Sequence, residues 1–588
     1  MLPLFLICLL ADEGMWPYNQ FPKDKVAVTT EFLDNLRLAS VQIPGGSGAF
    51  VSSNGLILTN QHLVTACLGD RVKDGYYGEL KCPGLTANVL LNIEDVTAQL
   101  KGKPQERTAA IARIEKGCAD KCSVVKLFAG GRYDLYHYKS YSDVRLIFAP
   151  EQQLAFFGRE RDSITYLRYG LDVAFLRAYE NDKPAVTPHY LKWSSNGINE
   201  GDFVFAAGNP APTARSTTAA QLTFYRDTAL PLTLNRLMPR IQMLPEGPVR
   251  TALLSEYKIA AGKLIGLRDD RLVARKTIFE GKIRHTVERD PALGMAGGKV
   301  WDEVATAYKN WAPFERPYQI LEGSPAPGST LYRIARDKSP AEPVDQNVEI
   351  LMLTSYLEEL QKLGDKDTPL KKIFDGKMPK QAAEEYVKTG TVADLVALLE
   401  PAAKRLRKKH DDTFGSLETS AVEKIAQYRF RLFGAAEYPD ATSTPRVEFG
   451  TVKGYVDRAG VAAPFAATFS GLYYRVNDAG PYAVPKRWVD GRSALNVVTP
   501  LDFVSTCDIG GGDYGSPVVN RAGELVGVTF DGNLESLPDT YLYTSEGARA
   551  VHVAAQGIAE ALGKIYKAGA LLKELGIGAG DAVSSAQR

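Results

Sequence analysis

Cys507-Asp-Ile-Gly-Gly-Gly-Asp-Tyr-Gly-Ser-Pro-Val-Val-Asn520, followed shortly by Glu524-Leu-Val-Gly-Val-Thr-Phe-Asp-Gly-Asn533, decides how this chain is read. Pro517-Val-Val-Asn and Glu524-Leu-Val-Gly-Val-Thr-Phe are short apolar runs bounded by Gly, Asn and Asp, the pattern of strands joined by turns. The glycine run before them is free to adopt backbone angles that aim successive N–H groups at one point, which suits a developing negative charge. A phosphate-binding loop is the rival reading. No helix pattern starts after the run and no Lys-Ser or Lys-Thr follows it, so that reading is set aside.

A nucleophile turn needs a base and a carboxylate from elsewhere. Of six His, only His62 ends an apolar strand at a turn, in Gly55-Leu-Ile-Leu-Thr-Asn-Gln-His-Leu63. Asp172 opens a second apolar strand, Asp172-Val-Ala-Phe-Leu-Arg177. The order His, Asp, Ser-bearing turn is that of chymotrypsin-like enzymes. The expected fold around these residues is therefore mostly β, in the manner of a chymotrypsin-like enzyme.

Outward from these segments, β-like texture runs from about residue 41 to 225 and returns from Val447. Helical interludes are expected around Gln105–Glu115 and Pro150–Ala155, and a closing helix from Glu546 to Leu575. Between about Leu230 and Leu432 the apolar spacing changes to three and four, clearest in Leu351-Met-Leu-Thr-Ser-Tyr-Leu-Glu-Glu-Leu-Gln-Lys-Leu363. The simplest account is a β domain, 12–225 with 431–588, interrupted by an α-helical domain, 226–430. The basic run Lys404-Arg-Leu-Arg-Lys-Lys-His410 inside that block reads as a solvated helix face.

With 70 Lys+Arg against 69 Asp+Glu, the net charge of +1 excludes nucleic acid and anionic membrane as expected partners. Met1–Leu10 is apolar but too short to span a bilayer, and it reads with Ala11 as the back half of a secretory signal, 1–11. No other segment is apolar enough to cross a membrane. Cys118 with Cys122 and Cys67 with Cys82 are candidate disulfides, although sequence does not set the connectivity. Zinc would want CxxC pairs or nearby His, so no metal and no cofactor are expected.

At these residues the chain resembles the bacterial dipeptidyl-peptidase 7 and 11 family of serine exopeptidases, the forty-sixth serine-peptidase family. The matching segments include Gly45-Gly-Ser-Gly-Ala-Phe-Val-Ser, Leu58-Thr-Asn-Gln-His, Glu79-Leu-Lys-Cys-Pro-Gly-Leu, Asn92-Ile-Glu-Asp-Val-Thr, Tyr438-Pro-Asp-Ala, Gly450-Thr-Val-Lys-Gly-Tyr and the stretch from Cys507 to Asn533. The resemblance implies a double β-barrel with a helical domain capping its cleft. It also implies secretion or a periplasmic location, a homodimer, and removal of dipeptides from free peptide N-termini.

Carried over residue by residue, the resemblance makes His62 the base and Asp172 its carboxylate. The nucleophile should be the first Ser of Gly-Gly-Asn-Ser-Gly-Ser-Pro, but the string here is Gly511-Gly-Asp-Tyr-Gly-Ser-Pro517, so Tyr514 stands in that place. The oxyanion hole maps to the backbone of Gly512 and Tyr514. A phenol lies a full ring beyond a Ser hydroxyl, and a 1 Å misplacement already costs about 100-fold. Ser516, two residues on, is the only nearby substitute. The family's Asn and aromatic that hold the substrate amine are Ser163 and Ile164 here. Asp531 persists at the acidic amine-binding position, and Gly532 follows where Asp/Glu-selective members carry Arg, which favours a neutral or hydrophobic P1 residue. The expected function is a degenerate homologue that binds a peptide N-terminus or a protein partner without cleaving it. The alternative is an active exopeptidase releasing N-terminal dipeptides.

Overall fold

The structure, a computed structural model, describes residues 13–322, 329–340, 343–364 and 369–578. The signal-like segment 1–11 lies outside the described residues. Contacts divide the chain into two compact units, Met1–Arg215 with Arg429–Arg588, and Ser216–Tyr428.

The first unit is built on two antiparallel sheets. The larger runs Tyr76–Lys81, Asp143–Ala149, Ala174–Glu180, Leu56–Thr59, Gly46–Phe50, Ser40–Ile43, Ala87–Asp95, Arg132–Tyr141, Lys121–Leu127, with Lys183–Pro184 beside Ala174–Glu180. The smaller runs Arg446–Thr451, Phe203–Gly208, Pro517–Asn520, Leu525–Gly532, Ala550–Ala554, Pro500–Ser505, Ala466–Thr468. Strands such as Leu56–Thr59 and Leu525–Gly532 are buried along their whole length, which explains their near-continuous apolar sequence. Trp16, Phe157, Phe175, Phe205, Leu501 and Val528 are among the residues of the main core.

Two closed barrels were the expectation, and the sheets correct it. Closure requires the two edge strands to pair. Here both sheets are open paths, whose end strands differ and do not pair with each other. The smaller comes nearest to closing through an isolated bridge, Val452↔Ser505, beside which Thr506 N–H donates to Thr451 O at 3.0 Å.

The expected helical interludes are Pro104–Lys116 and Gln152–Ala155. The closing helix is a second correction. Ala550–Ala554 is instead a fully buried strand, and helix begins only at Ala555. Its Ala and Val residues suit either state, and pairing with Leu525–Gly532 and Pro500–Ser505 on both sides decides for strand. Both candidate disulfides form, Cys67–Cys82 and Cys118–Cys122, while Cys507 is buried and belongs to neither.

The second unit is helical. Gln346–Gln361 is capped by the Asp345 carboxylate, which accepts from the N–H groups of Asn347 and Val348. Its Leu353, Tyr356, Leu357 and Leu360 are buried with Leu395 and Leu399 of the helix Val392–His410. Glu359 on its flank pairs with Arg236 and Arg240. In the basic run, Lys404, Arg405, Lys408 and Lys409 are exposed.

Candidate active site

The strand Leu56–Thr59 pairs antiparallel with Ala174–Glu180, with Thr59 opposite Ala174. That register brings the residues just after the first strand against those just before the second, so His62 and Asp172 must meet. The chain after Asn60 tightens into a single turn, His62–Val64, that leaves the imidazole 41% exposed over a carboxylate only 9% exposed. His62 Nδ1 lies 2.6 Å from Asp172 Oδ2, and the His62 backbone N–H donates to Asp172 Oδ1 at 3.1 Å. Asn60 Nδ2 donates to the Asp172 carbonyl at 2.7 Å, locking the two turns together. Burial disfavours the imidazolium. The Asp172 charge and its hydrogen bond outweigh that, and hold the His62 pKa above its ordinary value.

The glycine-rich turn is clamped between the two sheets. Ser47 N–H donates to Tyr514 O at 2.8 Å and Gly515 N–H to Thr529 O at 2.8 Å, while Ser47 Oγ donates to Gly512 O at 2.9 Å. Asp513 Oδ2 accepts from Gly510 N–H at 2.7 Å. Gly515 sits at φ +87, and a Cβ there would fall 1.9 Å from Ser47 O, so only glycine fits. Among the described residues, nothing accepts from the N–H of Gly512 or of Tyr514, as an oxyanion hole would require.

The half-buried Tyr514 side chain stands edge-on to His62, ring centroids 5.6 Å apart at 76°. Its hydroxyl makes no hydrogen bond to His62. Burial, with the Asp531 carboxylate next in weight, pushes the phenol pKa up, so it is a worse nucleophile than free tyrosine. Ser516 does not take its place: it is fully buried against Gly208, and its hydroxyl has no hydrogen-bond partner among the described residues.

The Asp531 carboxylate is electrostatically felt by both His62 and Tyr514. Its Oδ2 accepts from the Ile164 N–H at 3.0 Å and its Oδ1 from the Gly532 N–H at 2.9 Å. Ile164 makes that contact at φ +57, a left-handed conformation costing a β-branched residue about 1–3 kcal/mol. Ser163 turns its hydroxyl to Glu160 O at 3.1 Å. Burial raises the Asp531 pKa, opposed by Arg168. Arg168, which the sequence did not single out, places Nη2 3.6 Å from Asp531 Oδ2 and is 2% exposed. No local sequence pattern marks it; its burial marks it in the fold, since Arg is almost never fully buried unless paired. The structure thus gathers His62, Asp172, Tyr514, Ser163, Ile164, Asp531 and Gly532, and leaves Ser516 out. Among the described residues no cluster of His, Cys, Asp and Glu could hold a metal, and no helix is long and apolar enough to cross a membrane.

Known proteins share this arrangement of elements. Dipeptidyl-peptidase 7 of Phocaeicola vulgatus is 26% identical, covering 91% of this chain and 94% of the relative. The Asp/Glu-specific dipeptidyl-peptidase of Shewanella putrefaciens is 24% identical, over 96% of this chain and 97% of its own. Porphyromonas endodontalis DPP11 in complex with the dipeptide Arg-Glu superposes with a TM-score of 0.85 at 21% identity, over 96% of this chain and all of that one. The profile of Peptidase S46 matches residues 11–386 and 356–577, nearly the whole chain. By that match, the chain belongs to the Peptidase S46 family.

Proposed function

We propose that this protein is a secreted or periplasmic member of its family that binds peptides with free N-termini without cleaving them. The observation that carries this reading is Tyr514. An attacking atom must lie within hydrogen-bond reach of its base, and the residue at the turn has no hydrogen bond to His62, while Ser516 is buried away from it. Around Tyr514 the other site residues persist. Asp531 offers a carboxylate for an ammonium group, and Gly532 leaves the P1 side without a charged side chain, which favours a neutral or hydrophobic residue there. The two open sheets are read as the two halves of a chymotrypsin-like peptidase fold, with His62 just after a strand of one and Tyr514 just before a strand of the other. Two disulfides support an oxidising compartment.

A second reading, an active dipeptidyl-peptidase, draws on the intact 2.6 Å contact between His62 and Asp172 and on relatives named for that activity. One experiment separates the two. The purified chain is mixed with peptides of four to six residues carrying neutral, hydrophobic or acidic second residues, and both binding heat and products are followed. The proposal expects binding of free but not N-acetylated peptides, with no dipeptide in the mass spectrum. Released dipeptide establishes the second reading instead.

A further inference from the structure

Behind the cleft lies a group of buried polar side chains outside both the dyad and the amine site. Asp502 is fully buried in the strand Pro500–Ser505, paired on one side with Ala467 and on the other with Val553. Its Oδ2 accepts from the Gly170 backbone N–H at 2.8 Å, two residues before Asp172. Its Oδ1 has no partner among the described residues. Nor do the Tyr166 hydroxyl or Arg168 Nε and Nη1, all buried. Arg168 and Asp172 are the charged groups that face Asp502, and Tyr166 faces it too.

A carboxyl in the middle of an apolar strand is costly unless it is held by specific partners. Here the partner is the loop that carries the site. Residues 163–172 contain Ile164, whose N–H binds Asp531, then Arg168, then Gly170, then Asp172. The loop is held at its two ends, by Ser163 N–H to Arg159 O at 3.1 Å, by Leu171 N–H to Leu154 O at 3.2 Å and by Asn60 Nδ2 to the Asp172 carbonyl at 2.7 Å. Between them, Tyr166 to Tyr169 make no backbone hydrogen bond among the described residues, and the rigid strand supplies an anchor at Gly170 for that middle part. We propose that Asp502 is a positioning residue which, through the Gly170 N–H and through Arg168, sets Asp172 and Asp531 together. Arg168, whose charge is felt by Asp502 and which pairs with Asp531, carries the link to the second carboxylate. Burial holds the Asp502 carboxyl well above the usual range, so it adds no second negative charge beside Asp172.

The proposal rests on the cleft being a ligand site, but its test reads His62 directly and needs no ligand. His62 is faced by Asp172, Asp531, Arg168 and the Tyr514 ring. In the full chain, the imidazole is titrated by histidine-selective NMR, with His62→Gln identifying its resonance. Asp502→Ala frees Gly170, and the His62 pKa should fall by about one unit, a tenfold change in proton affinity, as Asp172 loses its alignment. Asp502→Asn keeps an oxygen for the Gly170 N–H and should restore the native value. If Asp502→Ala does not fold, Asp502→Thr is read in the same way. A His62 pKa that stays native in Asp502→Ala while thermal stability falls overturns the proposal, as do Ala and Asn variants that behave alike. Native protein that binds no peptide, with the His62 shift present, removes the function proposed above and leaves this one standing.

Discussion

The two walls of the cleft are built by different means. On the His62 side, two strands in register force an imidazole and a carboxylate together, and the disulfide Cys67–Cys82 pins the segment just after the histidine. On the Tyr514 side there is no covalent tie, only hydrogen bonds to Ser47 and Thr529 and a glycine at an angle no other residue accepts. The first wall retains all the geometry a general base needs. The second keeps its backbone hydrogen bonds, with the N–H groups of Gly512 and Tyr514 unclaimed among the described residues. On the function proposed above, a catalytic scaffold outlasts its nucleophile, because backbone packing does not depend on which side chain the turn presents.

The comparison breaks most severely at the turn. Gly515→Ala drives a methyl into the Ser47 carbonyl and should destabilise the chain by about 4 kcal/mol in denaturant unfolding. Removing the covalent tie on the other wall, with Cys67→Ser and Cys82→Ser together, should cost about 3 kcal/mol for a loop of this size. If the turn variant proves the milder of the two, the walls are not held as described.

The histidines sharpen the contrast by pH. His552 is fully buried with Nε2 2.8 Å from Ser505 Oγ and Nδ1 3.0 Å from Thr529 Oγ1, and burial pushes its pKa down to about 3. The unfolded chain takes up that proton near pH 6.5, the folded chain only near 3. Between those values the unfolded state binds more protons, so stability falls on acidification by about 1.4 kcal/mol per pH unit, or about 2 kcal/mol from pH 6.5 to 5. Urea unfolding at the two pH values measures it, and His552→Asn should flatten the slope. His62 has the opposite sign. Its raised pKa makes its contribution full below pH 6.5 and lost as pH rises through the folded value.

The smallest effect belongs to Tyr514→Phe. The phenol makes no hydrogen bond among the described residues, so stability should stay within about 0.5 kcal/mol and peptide binding should be unchanged. A larger loss would mean that the hydroxyl, not the ring, is what occupies the cleft.

Much of this was legible in the residues. An apolar strand running into His62, an Asp opening a second strand and a glycine-rich turn each carry their own signal, and the registers follow once the strands pair. Tyr514 was plain because the turn around it is intact. Asp502 and Arg168 were not, because their roles arise from a loop folding back on a strand more than 300 residues away, which no local pattern encodes. The strand Ala550–Ala554 was misjudged for a similar reason, since alanine-rich segments take the state their neighbours impose.

The central claim is that one side chain silences a site otherwise ready to act. Fluorophosphonate labelling tests it most directly, because it needs only a nucleophile, His62 and the oxyanion amides, and no amine anchor. The account predicts no adduct on the native chain by intact mass and a single adduct, on residue 514, in Tyr514→Ser. A native chain that labels, at Tyr514 or Ser516, or a Tyr514→Ser variant that folds and stays unlabelled, would contradict it.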